Sequence, residues 1–380
     1  SKGYALFFAF LSLLLITFIV LISVGLTKVI AQTLALPEIY VLIGCIVFVF
    51  GYMMFGGANS MVYTNTVQAI IMLGVAIIML GSGYAYFNDG ISGFIDKLGS
   101  IDSKLVTVYN ESSFLFRDFF EVFIAQIVIG IAIVCQPHII TKSLLIKDPK
   151  GIKSYLISGV IVQSIFFLIV FVGLYARLQF PELKAGTSTL KVDSIIPAYV
   201  VTVFPTFVSL FVVLGLISAA ISTLEGLIQS LSTTITQDLL KPLILDKISP
   251  EGFPEKKLMW VNKGVIVVLA LVSILLTYDQ LINPKLSVAI FGQNGVFAYF
   301  SAAFVPILFG MFLKGVKKHT VIVSSVVAVI IHFVMYYGKV QVPFTIATGE
   351  NPGVAAACAI IVSVLLGLAI HFVRGDHKND

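Results

Sequence analysis

Ten stretches of this sequence are long and apolar enough to cross a lipid bilayer, and that leaves few architectures open. A hydrocarbon core about 30 Å thick takes roughly 20 residues at 1.5 Å each. On that measure the spans cover 4–32, 38–55, 62–87, 119–141, 155–177, 196–236, 258–277, 286–313, 320–337 and 353–373. Backbone groups in lipid must be satisfied internally, and these runs are too long for barrel strands. The class is therefore all-α, a polytopic membrane helical bundle. Only 11% of the residues are charged and 58% are hydrophobic, whereas a soluble domain carries about 25% charge. A water-soluble enzyme, a nucleic-acid binder and a disordered regulator are excluded. The sixth run exceeds a membrane thickness, and its polar last third, Glu225 to Asp238, predicts a helix that leaves the bilayer and ends near Pro242.

The basic residues orient the bundle. With the loop after the fourth span inside, the inner segments hold 14 of the 24 Lys and Arg and the outer loops 8. That asymmetry puts both termini in the cytoplasm, as an even span count requires. The longest polar stretch, Asn88 to Asp118, is an external loop in which Asn110-Glu111-Ser112 forms a glycosylation triplet. Cys45, Cys135 and Cys358 lie in separate apolar runs and have no disulfide or metal spacing. An apolar run begins at Tyr4 with no charged leader before it, so it is no signal peptide. Because residue 1 is Ser, the chain is expected to be a fragment of something longer.

A transporter bundle needs polar groups at mid-depth and interrupted helices that expose backbone dipoles. Three places offer them. Gly56-Gly57 is a candidate tight turn feeding a helix with Thr64, Asn65 and Gln68 on its first turns, although an ordinary inner loop accounts for it equally. In Gln136-Pro137-His138, the proline removes a ladder hydrogen bond and breaks or kinks the fourth span. Ala219, Ser222 and Thr223 sit at i, i+3 and i+4 and share a helical face. Small residues there permit close helix packing, while their hydroxyl and carbonyl oxygens are also hard ligands suited to a sodium ion.

With these motifs the chain resembles the sodium/solute symporters, the group of sodium/glucose, sodium/proline and sodium/pantothenate carriers. Gly56-Gly57-Ala58 through Tyr63-Thr64-Asn65 and Gln68 is similar to that family's Gly-Gly-x-x-Ala-Val-x-Trp-Thr-Asp-x-x-Gln signature, Gln136-Pro137-His138 to its Gln-Pro-His tract, and Ala219 through Thr223 to Asp238-Leu239 to its Ala-Ala-x-x-Ser-Thr pattern. The resemblance implies a leucine-transporter-like inverted-repeat fold over residues 1–380: 4–87 the remainder of a first repeat, 119–313 the second repeat, 320–373 two additional helices. On that mapping the family's first three helices are absent from the chain. It also implies that Ala219, Ser222 and Thr223 keep one half of a sodium site. Asn65 replaces the family's Asp, and Tyr63 its Trp; losing that charge argues for a single coupled ion, since the Asp helps hold a second one. Ile129, Ile131 and Ile133 stand where proline carriers show aromatics, so proline is not supported.

The function these readings imply is sodium-coupled import of a small organic solute by alternating access, in the plasma (cell inner) membrane. No cofactor, no nucleic-acid partner and no obligatory oligomer is expected, with sodium as the coupling ion. Candidate substrate contacts are Gln126, Gln136, Gln293 and Asn294; interhelical hydrogen bonding explains such amides as readily. Gly292, in a Gly292–Gly295 interruption of the eighth span, joins Gly56, Gly57 and Pro137 as a candidate helix break or gate. A carrier-shaped membrane sensor is the alternative, and an intramembrane enzyme lacks its metal-ligand and carboxylate pairs.

Overall fold

The computed structural model describes residues 2–136, 139–140, 150–186, 188–249, 252–283 and 288–373; the side chains of 56–62, 188 and 193 lie outside the description. Helices α1 (Lys2–Ser12) and α2 (Ile16–Leu34) form one kinked span, bent by a 3-10 turn at Leu13–Leu15. It stops where Ala35 turns left-handed (φ 52°). Pro37, two residues on, lacks an N–H and holds Leu36 out of the helical region. Pro37 then leads α3 (Glu38–Gly81), whose Glu38 complements the positive end of the helix dipole.

The long loop after α3 is folded. Within it α4 (Gly90–Ile101) buries Phe94 and Leu98, and the Phe94 ring stacks on Phe87 at 4.4 Å between centroids. The fourth span begins as a π-helix (Phe120–Ala125), continues as α5 (Gln126–Ala132) and tightens to a 3-10 turn (Ile133–Cys135). Next come α6 (Gly151–Leu168) and α7 (Val170–Gln179), then a hairpin pairing β1 (Lys184–Ala185) antiparallel to β2 (Ser188–Thr189). The rest is α8 (Ile195–Val203), α9 (Thr206–Thr234) with its π-helical continuation Ile235–Leu245, α10 (Glu255–Ile282), α11 (Val288–Phe312), α12 (Lys318–Gly338) and α13 (Pro352–Val373).

Among the described residues, nine helical stretches are long and apolar enough to cross a membrane, and Phe120–Cys135 is a shorter tenth. Four sequence expectations need correction. The sixth span is two helices: Pro205 takes an extended ψ of 150° and separates α8 from α9. At its other end the helix runs beyond Pro242 to Ile248, because the wider π turns absorb the missing N–H. Helix α3 runs unbroken through Gly56 and Gly57, so the pair makes no tight turn in the backbone. Both halves of α3 lie along α9, with Leu42, Ile46 and Phe50 packed on Leu224, Leu227 and Leu231, and Val75 on Val212 and Val213. A shared support lets the helix continue, and a helical glycine costs only about 1 kcal/mol.

The fourth correction concerns Gly292. Helix α11 is continuous through Gly292 and Gly295, and both glycines serve close approach. A Cβ on Gly292 would stand 2.7 Å from the Leu21 side chain, and one on Gly295 2.6 Å from the Leu14 carbonyl. The bare backbone lets Thr17 Oγ1 reach the Gly292 carbonyl at 3.0 Å, just past the 3-10 kink.

Candidate functional site

Helix α9 carries the candidate sodium stripe. Its i, i+4 geometry brings Thr223 Oγ1 to 3.0 Å from the Ala219 carbonyl, to which the hydroxyl donates. Two of the three expected oxygens are thus adjacent. The third turns aside: Ser222 Oγ donates to Asn65 Oδ1 of α3 at 2.8 Å. All three residues are half-buried. A cavity of about 310 Å³ between α3, α6, α7 and α9 reaches Ala219, lined by Met72, Met79, Phe166 and Leu216 among others. A neighbouring one of about 440 Å³ reaches Asn65 and shares Met72 and Phe166 with it. The crevice beside α3 therefore runs from the α3–α9 hydrogen bond to the Ala219 end of the stripe.

The break in the fourth span falls at Gln136, whose ψ of 137° is extended while its carbonyl accepts from the N–H groups of Ile139 and Ile140. Pro137 itself lies outside the described residues. Gln136 is 3% exposed; its Nε2 donates to the Ile133 carbonyl at 3.2 Å, and its buried Oε1 meets no partner among the described residues. A buried amide oxygen left unpaired costs stability. Gln126, ten residues earlier, is exposed, and Gln293 on α11 is half-buried. Asn294 is committed elsewhere: its Oδ1 lies 3.0 Å from His332 Nε2 of α12, with His332 fully buried. Helices α5 and α11 share one apolar cluster (Ile129, Ala132, Val296, Phe300), whereas α2 packs on both α9 and α11 and so lies between the stripe and these amides.

Sequence reasoning missed one feature outright. Glu225, expected at the start of a polar exit, is 1% exposed, and Tyr52 of α3 donates a hydrogen bond to its Oε1. The signal was present: Glu225 lies three residues beyond Ser222 and is followed by buried Leu227, Ile228 and Leu231. A second buried carboxylate, Glu121, sits in the first turn of the fourth span. It accepts from Arg117 Nη2 at 2.6 Å and Asn351 Nδ2 at 3.2 Å, while Asp118 caps the Glu121 N–H and accepts from Ile346 and Ala347 N–H groups. This network ties the head of the fourth span to the loop before α13.

Many apolar spans, one of them interrupted at Gln136, with paired helix oxygens beside a crevice, belong to a multi-pass membrane protein of leucine-transporter-like fold. The fold is similar to that of a Na+-coupled sialic acid symporter solved in a substrate-bound outward-open state, with a TM-score of 0.71 and 17% identity over 94% of this chain and 73% of that one. The profile of the sodium:solute symporter family matches residues 1–336, and the chain belongs to that family. It is also 26% identical over 220 residues to the sodium/pantothenate symporter of Haemophilus influenzae, an alignment covering 57% of this chain and 43% of that protein's length.

Proposed function

We propose that this chain is the transporter domain of a sodium-coupled symporter that imports a small organic solute by alternating access. The observation that carries the reading is the Ala219 carbonyl and Thr223 hydroxyl held 3.0 Å apart on α9, a pair of hard oxygens that one cation can bridge. Ser222 completes the half-site by leaving Asn65. The Gln136 Oε1 at the break, which meets no partner among the described residues, offers the solute a hydrogen bond together with Gln126 and Gln293.

Coupling requires that sodium and solute bind one state better than the other. Sodium bridging α9 to another helix stabilises the outward-facing form and shapes the solute cavity. On turning inward it meets a low cytoplasmic concentration and leaves. The membrane potential contributes about 2.3 kcal/mol per charge per 100 mV, above the roughly 1.4 kcal/mol of a tenfold accumulation. The division into 4–87, 119–313 and 320–373, the cell-membrane location and the cytoplasmic termini belong to the same proposal.

The test is sodium-gradient-driven uptake by the full-length protein in proteoliposomes, screened over sugars, amino acids, carboxylates and vitamins. Ser222→Ala and Thr223→Ala are expected to raise the half-saturating sodium concentration about tenfold, the effect of removing one oxygen bound to a charged group. Unchanged sodium dependence in both variants overturns the assignment.

A further inference from the structure

The end of α9 and the start of α10 enclose a polar cavity of about 450 Å³ that has no part in the reading above. Thr233, Gln237 and Lys241 recur every fourth residue along α9 and its π-helical continuation and line one wall. Glu255, Met259 and Asn262, at i, i+4 and i+7 on one face of α10, line the other. Several hydrogen-bond donors there are unused. Thr236 Oγ1 donates to Asn262 Oδ1 at 3.0 Å, which leaves the Asn262 Nδ2 hydrogens for a ligand. Thr233 Oγ1 accepts from Gln229 Nε2 at 3.2 Å and keeps its own O–H to give. Lys241 and Glu255 are the two charged groups of the lining. Neither side chain forms an ion pair or hydrogen bond among the described residues.

The cavity lies where α10 enters the bilayer. Lys256 and Lys257 are exposed, an apolar run follows from Leu258, and Met259 and Trp260 are 59% and 70% exposed. Tryptophan favours the headgroup level of a membrane, and the Lys263 ammonium stands 4.9 Å from the centre of this ring. We propose that the cavity holds the headgroup of a phospholipid that carries a primary amine. Its phosphodiester rests on Lys241, Asn262 Nδ2 and the Thr233 hydroxyl, its ammonium on Glu255, and its acyl chains run along Met259 and Trp260. One cation and one carboxylate in the lining match a zwitterion. An anionic headgroup without the amine leaves Glu255 facing a like charge, and a quaternary amine has no N–H to give it. The volume falls within the roughly 300–1,000 Å³ of small-molecule sites. The site needs no sodium and stands whether or not the α9 stripe binds an ion.

Native mass spectrometry of the delipidated full-length protein, titrated without sodium, tests the site with phosphatidylethanolamine, phosphatidylglycerol and phosphatidylcholine. Wild type is expected to bind the ethanolamine lipid about tenfold more tightly than the other two. Lys241→Ala should bind it about tenfold more weakly than wild type, the loss of one hydrogen bond to a charged group. Glu255→Lys should favour phosphatidylglycerol instead. Because both side chains are unpaired, both variants should keep the wild-type thermal midpoint in detergent, which separates a lost lipid from a lost fold. Wild-type affinity in Lys241→Ala overturns the phosphate contact, and an unchanged lipid order in Glu255→Lys overturns the ammonium contact. Free phosphoethanolamine that displaces the lipid at equal concentration overturns the lipid as occupant and makes this a site for a soluble phosphate ester.

Discussion

At the scale of single residues, the stripe on α9 shows what spacing reveals and what it hides. That Ala219, Ser222 and Thr223 share a face follows from 3.6 residues per turn, and the Thr223–Ala219 bond is local enough to be read from sequence. The commitment of Ser222 to Asn65, 157 residues away, was not legible, because no local rule says which distant helix a hydroxyl meets. The same holds for Asn294, whose pairing with His332 turned a candidate solute contact into a helix–helix link. The Asn65 contact carries a prediction. Asn65→Asp keeps the acceptor for Ser222 and adds a full negative charge where the family pattern has one, so a second sodium should bind. The Hill coefficient for sodium in uptake is expected to rise from near one toward two; an unchanged coefficient contradicts the single-ion reading of Asn65.

Among the elements, a broken span and an unbroken one looked alike on paper. Pro137 marked the fourth span for a break, and Gln136 takes the extended backbone that a following proline imposes. Gly292-x-x-Gly295 suggested the same in the eighth span, yet glycine serves both broken helices and closely packed ones, and here it admits Thr17 and the Leu14 carbonyl. Gly295→Ala should therefore lower stability by about 1–3 kcal/mol through overpacking, read as the thermal midpoint in detergent. Arg117→Ala should cost more, about 3–5 kcal/mol, since it strands the fully buried Glu121 without its cation. A midpoint as high as the wild type's would show that Asn351 and the backbone N–H of residue 117 suffice. Nothing local foretold this network either, for Asn351 and Glu121 lie 230 residues apart.

For the molecule as a whole, the helical membrane architecture was the most legible property, because hydrocarbon thickness acts on every span independently. The length of α9 and the course of α3 were not, as both depend on which neighbour supports them. Orientation rests on the excess of Lys and Arg in the inner segments, and it predicts an outcome at two exposed positions. Ser103→Cys, in the outer loop, should react with an impermeant thiol reagent on intact cells, and Asp246→Cys only after permeabilisation; the reverse pattern inverts the topology. The fourth span is stitched to the loop before α13 at Glu121 and interrupted at Gln136, so its head and the start of α13 are nailed to one frame, and loosening either one loosens both.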